Sequence, residues 1–201
     1  MLSYLDPILF PDECEILQLP NGRFIYPIYK NGSSSLHRMG LPVVKNLADC
    51  KEIDVLIREP YERFLSGVNT FIKNLDPGLD KTTILYFVKN YLFLNRHYCP
   101  QFFWLLNLQR FSQAKIRLLR FSELNTITTF KNNISPENYM SLASEFNNKV
   151  HFYLQLDKIL YYDLINQTVD FKDIIHYLKT NYTKVYDEII TRSKNLCSVL
   201  D

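Results

Sequence analysis

The run Lys30-Asn31-Gly32-Ser33-Ser34-Ser35 has the residue types, in the order, that grip a phosphate or sulfate group. A glycine lets the chain turn sharply, successive N–H groups then point inward, serine hydroxyls donate, and a helix opening there adds its positive end. The lysine precedes the glycine instead of following it, so the run is not a Walker A loop. The same residues also fit an ordinary strand followed by a serine-capped helix. A second run, Arg58-Glu59-Pro60-Tyr61-Glu62-Arg63-Phe64-Leu65-Ser66, puts an arginine just before a proline that suits a helix start. Arg63 and Ser66 are three apart and share a helical face, expected opposite the apolar stripe and open to a ligand. The plain alternative is a solvated face on which Glu59 and Arg63 pair. Four histidines, His37, His97, His151 and His176, could take a proton near neutral pH. His97, in an expected loop, is favoured as a base, and His37, beside the anion-type loop, is second.

These runs need elements to hold them. Residues 1–22 read as irregular or briefly helical, closed by the turn Pro20-Asn21-Gly22. Residues 23–29 are rich in β-formers and predict a strand, with Pro27 marking an edge or an irregular end. The anion-type loop follows and opens a short helix carrying Leu36 and Met39. Residues 53–57 predict a second strand, ending where Arg58 stands. Phe64, Leu65, Val68, Phe71, Ile72 and Leu75 then fall on one helical face, and Ile84, Leu85, Val88, Tyr91 and Leu92 predict another helix. A loop at 95–100 leads on to a third strand over Lys115 to Phe121, with Ser122 placed to cap a helix. Beyond Pro136 the pattern is helical, in tyrosine-rich segments near 153–165 and 171–199. Strands alternating with helices over the first 130 residues predict an α/β fold: a P-loop-like, mostly parallel sheet flanked by helices, with a helical C-terminal third lying over the same sheet.

Composition narrows the class. A chain of 201 residues with 47% hydrophobic and 14% aromatic residues can bury a substantial core, and residues 1–201 are expected to form one domain. The 23 basic and 21 acidic residues are interspersed and leave a net charge of +2, so no field suited to nucleic acid develops. Any anion must be held by a local site. Cys14, Cys50, Cys99 and Cys197 are far apart and form no ligand cluster, so no metal is expected. The N-terminus lacks a basic secretory n-region and no stretch has the length of a membrane span, so a cytoplasmic protein with reduced thiols, without a membrane partner, is expected.

Together the two runs resemble the sulfotransferase superfamily. Its members carry a strand, then a loop of the form Pro-Lys-x-Gly-[Ser/Thr]-[Ser/Thr], and later a strand ending in Arg-x-Pro with a serine eight residues beyond the arginine. Lys30, Gly32, Ser33 and Ser34 match the first pattern, and Arg58, Pro60 and Ser66 the second. With Arg63 included, the helix start looks most like that of the carbohydrate sulfotransferases, Arg-x-Pro-Tyr-x-Arg. Asn95-Arg96-His97-Tyr98-Cys99-Pro100-Gln101 resembles that group's His-Trp-x-Pro-Gln segment with tyrosine for tryptophan, and Arg120-Phe121-Ser122-Glu123-Leu124 resembles its Glu-Leu strand-to-helix junction. The likeness runs from about residue 23 to 130. Tyr29 departs from it by replacing the usual proline.

The resemblance implies an enzyme that uses PAPS (3'-phosphoadenosine 5'-phosphosulfate) as donor, releases PAP, and sulfates a hydroxyl or amine of an acceptor, with carbohydrate suggested by motif form. It further implies that Lys30 and the loop Asn31, Gly32, Ser33, Ser34 and Ser35 hold the phosphosulfate, and that Arg58 and Ser66 hold the 3'-phosphate. Lys30 would stabilise the leaving oxygen while His97, or else His37, takes the acceptor's proton. Two alternatives stay open: a module that binds PAP or PAPS without turnover, and a nucleotide-dependent phosphotransferase. The missing Gly-Lys-[Ser/Thr] run speaks against the second.

Overall fold

A computed structural model describes residues 15–74, 80, 82–83, 86, 95–127, 150–152 and 154–197. Its centre is a five-stranded mixed sheet whose spatial order is the chain order: β1 (Leu17–Gln18), β2 (Phe24–Tyr26), β3 (Glu52–Ile57), β4 (Lys115–Arg120) and β5 (Thr168–Val169). The two central pairings are parallel, Ile25 opposite Asp54 and Val55 opposite Leu118, and the outer two are antiparallel. The α/β expectation therefore holds, with the parallel part confined to β2, β3 and β4. Neither outer strand was anticipated: two residues are too few to show an alternating pattern. β5 also breaks the segment expected to be wholly helical. The strand expected over 23–29 is shorter: β2 stops at Tyr26, immediately before Pro27, which marks its end and not an edge, since β2 pairs on both sides.

Alternation along the strands gives the sheet two apolar faces. Ile53, Val55 and Ile57 of β3, with Ile116 and Leu118 of β4, enter the main core. There they meet Phe64, Val68 and Phe71 of α2 (Pro60–Asn74) and Phe102, Phe103 and Leu105 of α3 (Gln101–Phe111). Ile25, Leu56 and Leu119 point the other way, into a smaller cluster with Leu36 of α1 (Ser33–Arg38) and Leu124 of α4 (Leu124–Ile127). The C-terminal helices α5 (Gln155–Tyr162), α6 (Phe171–Asn181) and α7 (Thr183–Cys197) add Leu160, Ile174, Leu178 and Ile189 to the main core. The tyrosine-rich segment expected over 171–199 is thus two helices, parted at Tyr182, whose φ of −136° is not helical.

α2 bears out its apolar stripe at Phe64, Val68 and Phe71, while Leu75 and the helix expected over 84–92 lie almost wholly outside the described residues. α3 was not foreseen. Gln101, Phe102, Phe103, Trp104, Leu105, Asn107 and Leu108 are all buried, so the helix is enclosed on most sides and shows no helical period to read. Ser122 does not cap the helix after β4. A 3₁₀ turn over Phe121–Glu123 intervenes, and the Glu123 carboxylate accepts the N–H of Arg120 at 2.9 Å. Among the described residues no helix is long and apolar enough to cross a membrane.

Candidate functional site at the carboxyl ends of the central strands

The chain leaves β2 for α1 on one face of the sheet and leaves β3 for α2 on the other. Connections that part to opposite faces leave a crevice beyond the carboxyl ends of the two strands, which is where ligands bind in open α/β sheets. A cleft of about 350 Å³ lies there. Lys30, Gly32 and the three serines Ser33, Ser34 and Ser35 form one side of its lining. Arg58, His37, His97, Tyr29 and Phe121 complete it, so no carboxylate is among its described lining residues. In the chain Lys30 and Arg58 are far apart, yet the Arg58 guanidinium donates to the carbonyl of Lys30 at 3.4 Å.

The first wall is a tight turn. The N–H of Asn31 donates to the carbonyl of Ile28 at 3.1 Å, and Lys30, third in that turn, has φ 68°. Gly32 follows at φ 87° as the N-cap of α1 and supplies no side-chain cap. A Cβ at Gly32 would come within 2.4 Å of a methyl of Leu124, a contact that side chain can relieve by moving, so it is the dihedral that requires glycine. Ser34 is exposed, whereas Ser33 and Ser35 are buried, and the Ser35 N–H is used on the carbonyl of Gly32 at 2.9 Å. With only six residues, α1 offers a turn of amides and little dipole. Lys30 Nζ donates to Thr70 Oγ1 of α2 at 2.5 Å.

Asn31 turns inward. It is 1% exposed, and its side-chain amide donates to Leu56 O at 2.7 Å and to Gln101 Oε1 at 2.6 Å. Gln101, buried at the start of α3, also accepts the Arg58 N–H and donates to the Arg58 carbonyl, both at 3.0 Å. The Arg58 side chain is 12% exposed, lies 5.2 Å from the centre of the Phe121 ring, and has Nε 3.6 Å from Glu62 Oε2. The helical ion pair on this run is therefore Arg58 with Glu62, not Glu59 with Arg63.

Arg63 overturns its expected role. It is 1% exposed and donates to three backbone carbonyls: Tyr29 O at 3.0 Å, Arg96 O at 3.5 Å, and Cys99 O by a short bond. The helix does place it near Ser66, but the 95–100 loop packs over that face and encloses it. Gly67 permits this packing, because a Cβ there would sit 2.1 Å from the carbonyl oxygen of His97. Ser66 is half-buried, its carbonyl accepts Thr70 Oγ1 at 3.2 Å, and it does not line the cleft.

Of the two favoured histidines, both reach the cleft. His97 is half-buried, its N–H donates to Asn95 Oδ1 at 2.9 Å, and its ring lies 5.4 Å from that of Tyr29. Tyr29 in turn meets Trp104 at 5.1 Å and carries the Arg96 guanidinium at 5.0 Å. His37 is exposed, with Nε2 3.6 Å from Glu15 Oε2. His151 and His176 do not line the cleft. Beneath it, fully buried Asp157 accepts the N–H groups of Gln101 at 2.7 Å and Phe102 at 2.9 Å. Burial pushes its carboxyl up to about 6, against the opposing pull of those bonds and of Arg63. Burial likewise pushes the Cys99 thiol up to about 12, so it is no nucleophile. Gln101 stood out in the sequence only as the end of the segment resembling His-Trp-x-Pro-Gln, with no role given to it, and Asp157 did not stand out, because a lone buried carboxylate carries no local pattern.

Comparison with protein-family models, with curated proteins and with solved structures finds no match for this chain.

Proposed function

We propose that the cleft binds PAPS and passes its sulfuryl group to an acceptor hydroxyl or amine. One observation carries the reading: Lys30, the Gly32–Ser35 turn and Arg58 line a single cleft at the carboxyl ends of adjacent parallel strands, and no acidic side chain is among its described lining residues. A multiply charged anion needs cations and N–H donors at close range and no carboxylate facing it. In this reading the sheet and its first loop are of the P-loop-like kind. Lys30 and the turn take the 5'-phosphosulfate, and Arg58 takes the 3'-phosphate, with Ser66 as a second donor for a ligand that reaches along α2.

The chemistry follows from those positions. The acceptor's lone pair attacks sulfur in line with the bridging oxygen, the new bond to sulfur forms as the bridging bond breaks, and the bonding electrons leave on the phosphate of PAP. Charge grows on that oxygen only as the bond breaks, so an ammonium beside it lowers the barrier more than it tightens binding. His97 accepts the acceptor's proton, with His37 the second choice. To act, Lys30 must exchange Thr70 for the ligand, and Arg58 must loosen from Glu62. These existing ties favour a second reading, a module that holds PAP without turnover. Calorimetry with PAP and transfer from labelled PAPS to hydroxyl and amine acceptors separate the two. Binding with transfer supports the enzyme, binding alone selects the module, and no binding of PAP rejects both.

A further inference from the structure

Two buried side chains hold the cleft from behind, and they hold different pairs of loops. Gln101 Oε1 accepts Asn31 Nδ2 at 2.6 Å and the Arg58 N–H at 3.0 Å, while its Nε2 donates to the Arg58 carbonyl at 3.0 Å. A neutral amide can accept and donate at once, so it can grip a peptide unit from both sides; a glutamate lacks the donor and a lysine the acceptor. Its grip joins the lysine loop to the end of β3. Arg63 carries donors only, and three carbonyls accept from it: Tyr29 O, beside Lys30, and Arg96 O and Cys99 O, which bracket His97, while the buried Asp157 carboxyl also draws on its charge. A guanidinium reaches several carbonyls with one planar fork, which the single point of an ammonium does not. A fully buried cation costs desolvation that an apolar side chain would avoid, a cost these hydrogen bonds offset only while the carbonyls hold their places.

We infer that Gln101 and Arg63 are positioning residues with separate duties: Gln101 sets the spacing between the Lys30–Gly32 turn and Arg58, and Arg63 sets where His97 stands across the cleft. The duties matter to catalysis only under the reading of the cleft given above. They predict a division between binding and transfer. A shift of the Gln101 pair misplaces the two cationic walls and weakens the grip on the donor. A shift of the Arg63 set displaces the 95–100 loop, where it holds two carbonyls, more than the lysine turn, where it holds Tyr29 O alone and Gln101 still holds Asn31, so it misplaces the base while the grip changes less.

Gln101→Met keeps the volume and removes the hydrogen bonds, and Arg63→Lys keeps the charge and removes the fork. Amide exchange at Asn31 and Arg58, the ring resonances of His97, and calorimetric PAP affinity are read on each folded variant. In Gln101→Met, exchange at Asn31 and Arg58 should quicken and PAP affinity fall by about tenfold each, with the His97 resonances unmoved. In Arg63→Lys the His97 resonances should move and transfer should slow, while PAP affinity stays within about twofold of wild type. Both readouts moving together in both variants is a general loosening and overturns the inference. So does either variant leaving its own readout unchanged. Should a variant fail to fold, Asn31→Ser and Gly67→Ala reach the same loops from the other side. Asn31→Ser must then lower PAP affinity alone and Gly67→Ala must move His97 alone, and the opposite pattern overturns the inference. A wild type that binds no PAP sinks the functional reading only, because exchange and ring resonances still judge the two duties.

Discussion

Lys30 holds a φ of 68° in the third position of the turn closed by Asn31 and Ile28, a place that favours glycine. A non-glycine residue there costs about 1–2 kcal/mol, and such strain collects where a side chain is needed for function. Lys30→Gly should therefore be more stable than Lys30→Ala by about 1 kcal/mol in urea denaturation, with both lacking the cation and binding PAP weakly. Equal stability of the two variants would show that the turn relaxes in the alanine form. Arg58 makes a sharper case, being 12% exposed and set against Phe121. Removing it as Arg58→Ala should weaken PAP binding by about 2–4 kcal/mol, the scale of a charge-assisted contact to a partly buried phosphate. Ser66→Ala should change affinity less, since Ser66 does not line the cleft. Calorimetry on the two folded variants decides the order.

Among the elements, α3 depends most on a residue outside itself. Pro100 precedes it and gives no side-chain cap, so the first amides, Gln101 N and Phe102 N, are taken by Asp157 of α5. Burial holds the Asp157 carboxyl up at about 6, above its ordinary 3.8. A carboxyl raised in the folded state favours folding while protonated: the contribution is full below the ordinary value and is lost as pH rises through about 6. Asp157→Asn removes the titration. Relative to that variant, the wild type should lose on the order of 3 kcal/mol of stability between pH 4 and 7. Urea melts across that range test it, and parallel curves for the two proteins would contradict the burial argument. α2 shows the complementary dependence. Its Gly67 is required neither by a turn nor by a positive φ but by the carbonyl of His97 resting on it. A Cβ there must push the loop or tilt the helix, a cost of about 1–3 kcal/mol.

For the whole molecule, a ligand that bridges Lys30 and Arg58 ties β2 to β3 at their carboxyl ends, and these strands already form the middle of the sheet. Binding to the folded state alone stabilises by mass action, about 2.7 kcal/mol at a ligand concentration 100 times Kd. PAP at that excess should raise the urea midpoint accordingly. 5'-AMP at the same concentration should protect less, because it lacks the 3'-phosphate assigned to Arg58. Equal protection by the two nucleotides would remove that assignment.

What could be read in the sequence alone was local. The strands near 24–26, 52–57 and 115–120, the turn that places Gly22 at φ 82°, the helix start at Pro60 and the anion-type loop at 30–35 each depend on neighbours a few residues away, so residue type and spacing specify them. That Lys30, the serine turn and Arg58 share one site was implied only by the resemblance; the structure brings them to one cleft because β2 and β3 pair in parallel and end side by side. Tertiary structure decided the rest. Helical spacing gave Arg63 a face but could not say that the 95–100 loop covers it. Nor could it show that Asn31 turns inward to Gln101, because that partner is 70 residues away. β1 and β5 are strands only because longer neighbours pair with them, and α3 hides its period because it is enclosed by sheet and helices. Pattern follows exposure, and where the fold removes the contrast between an inner and an outer face the sequence has no local means of recording what the side chain will touch.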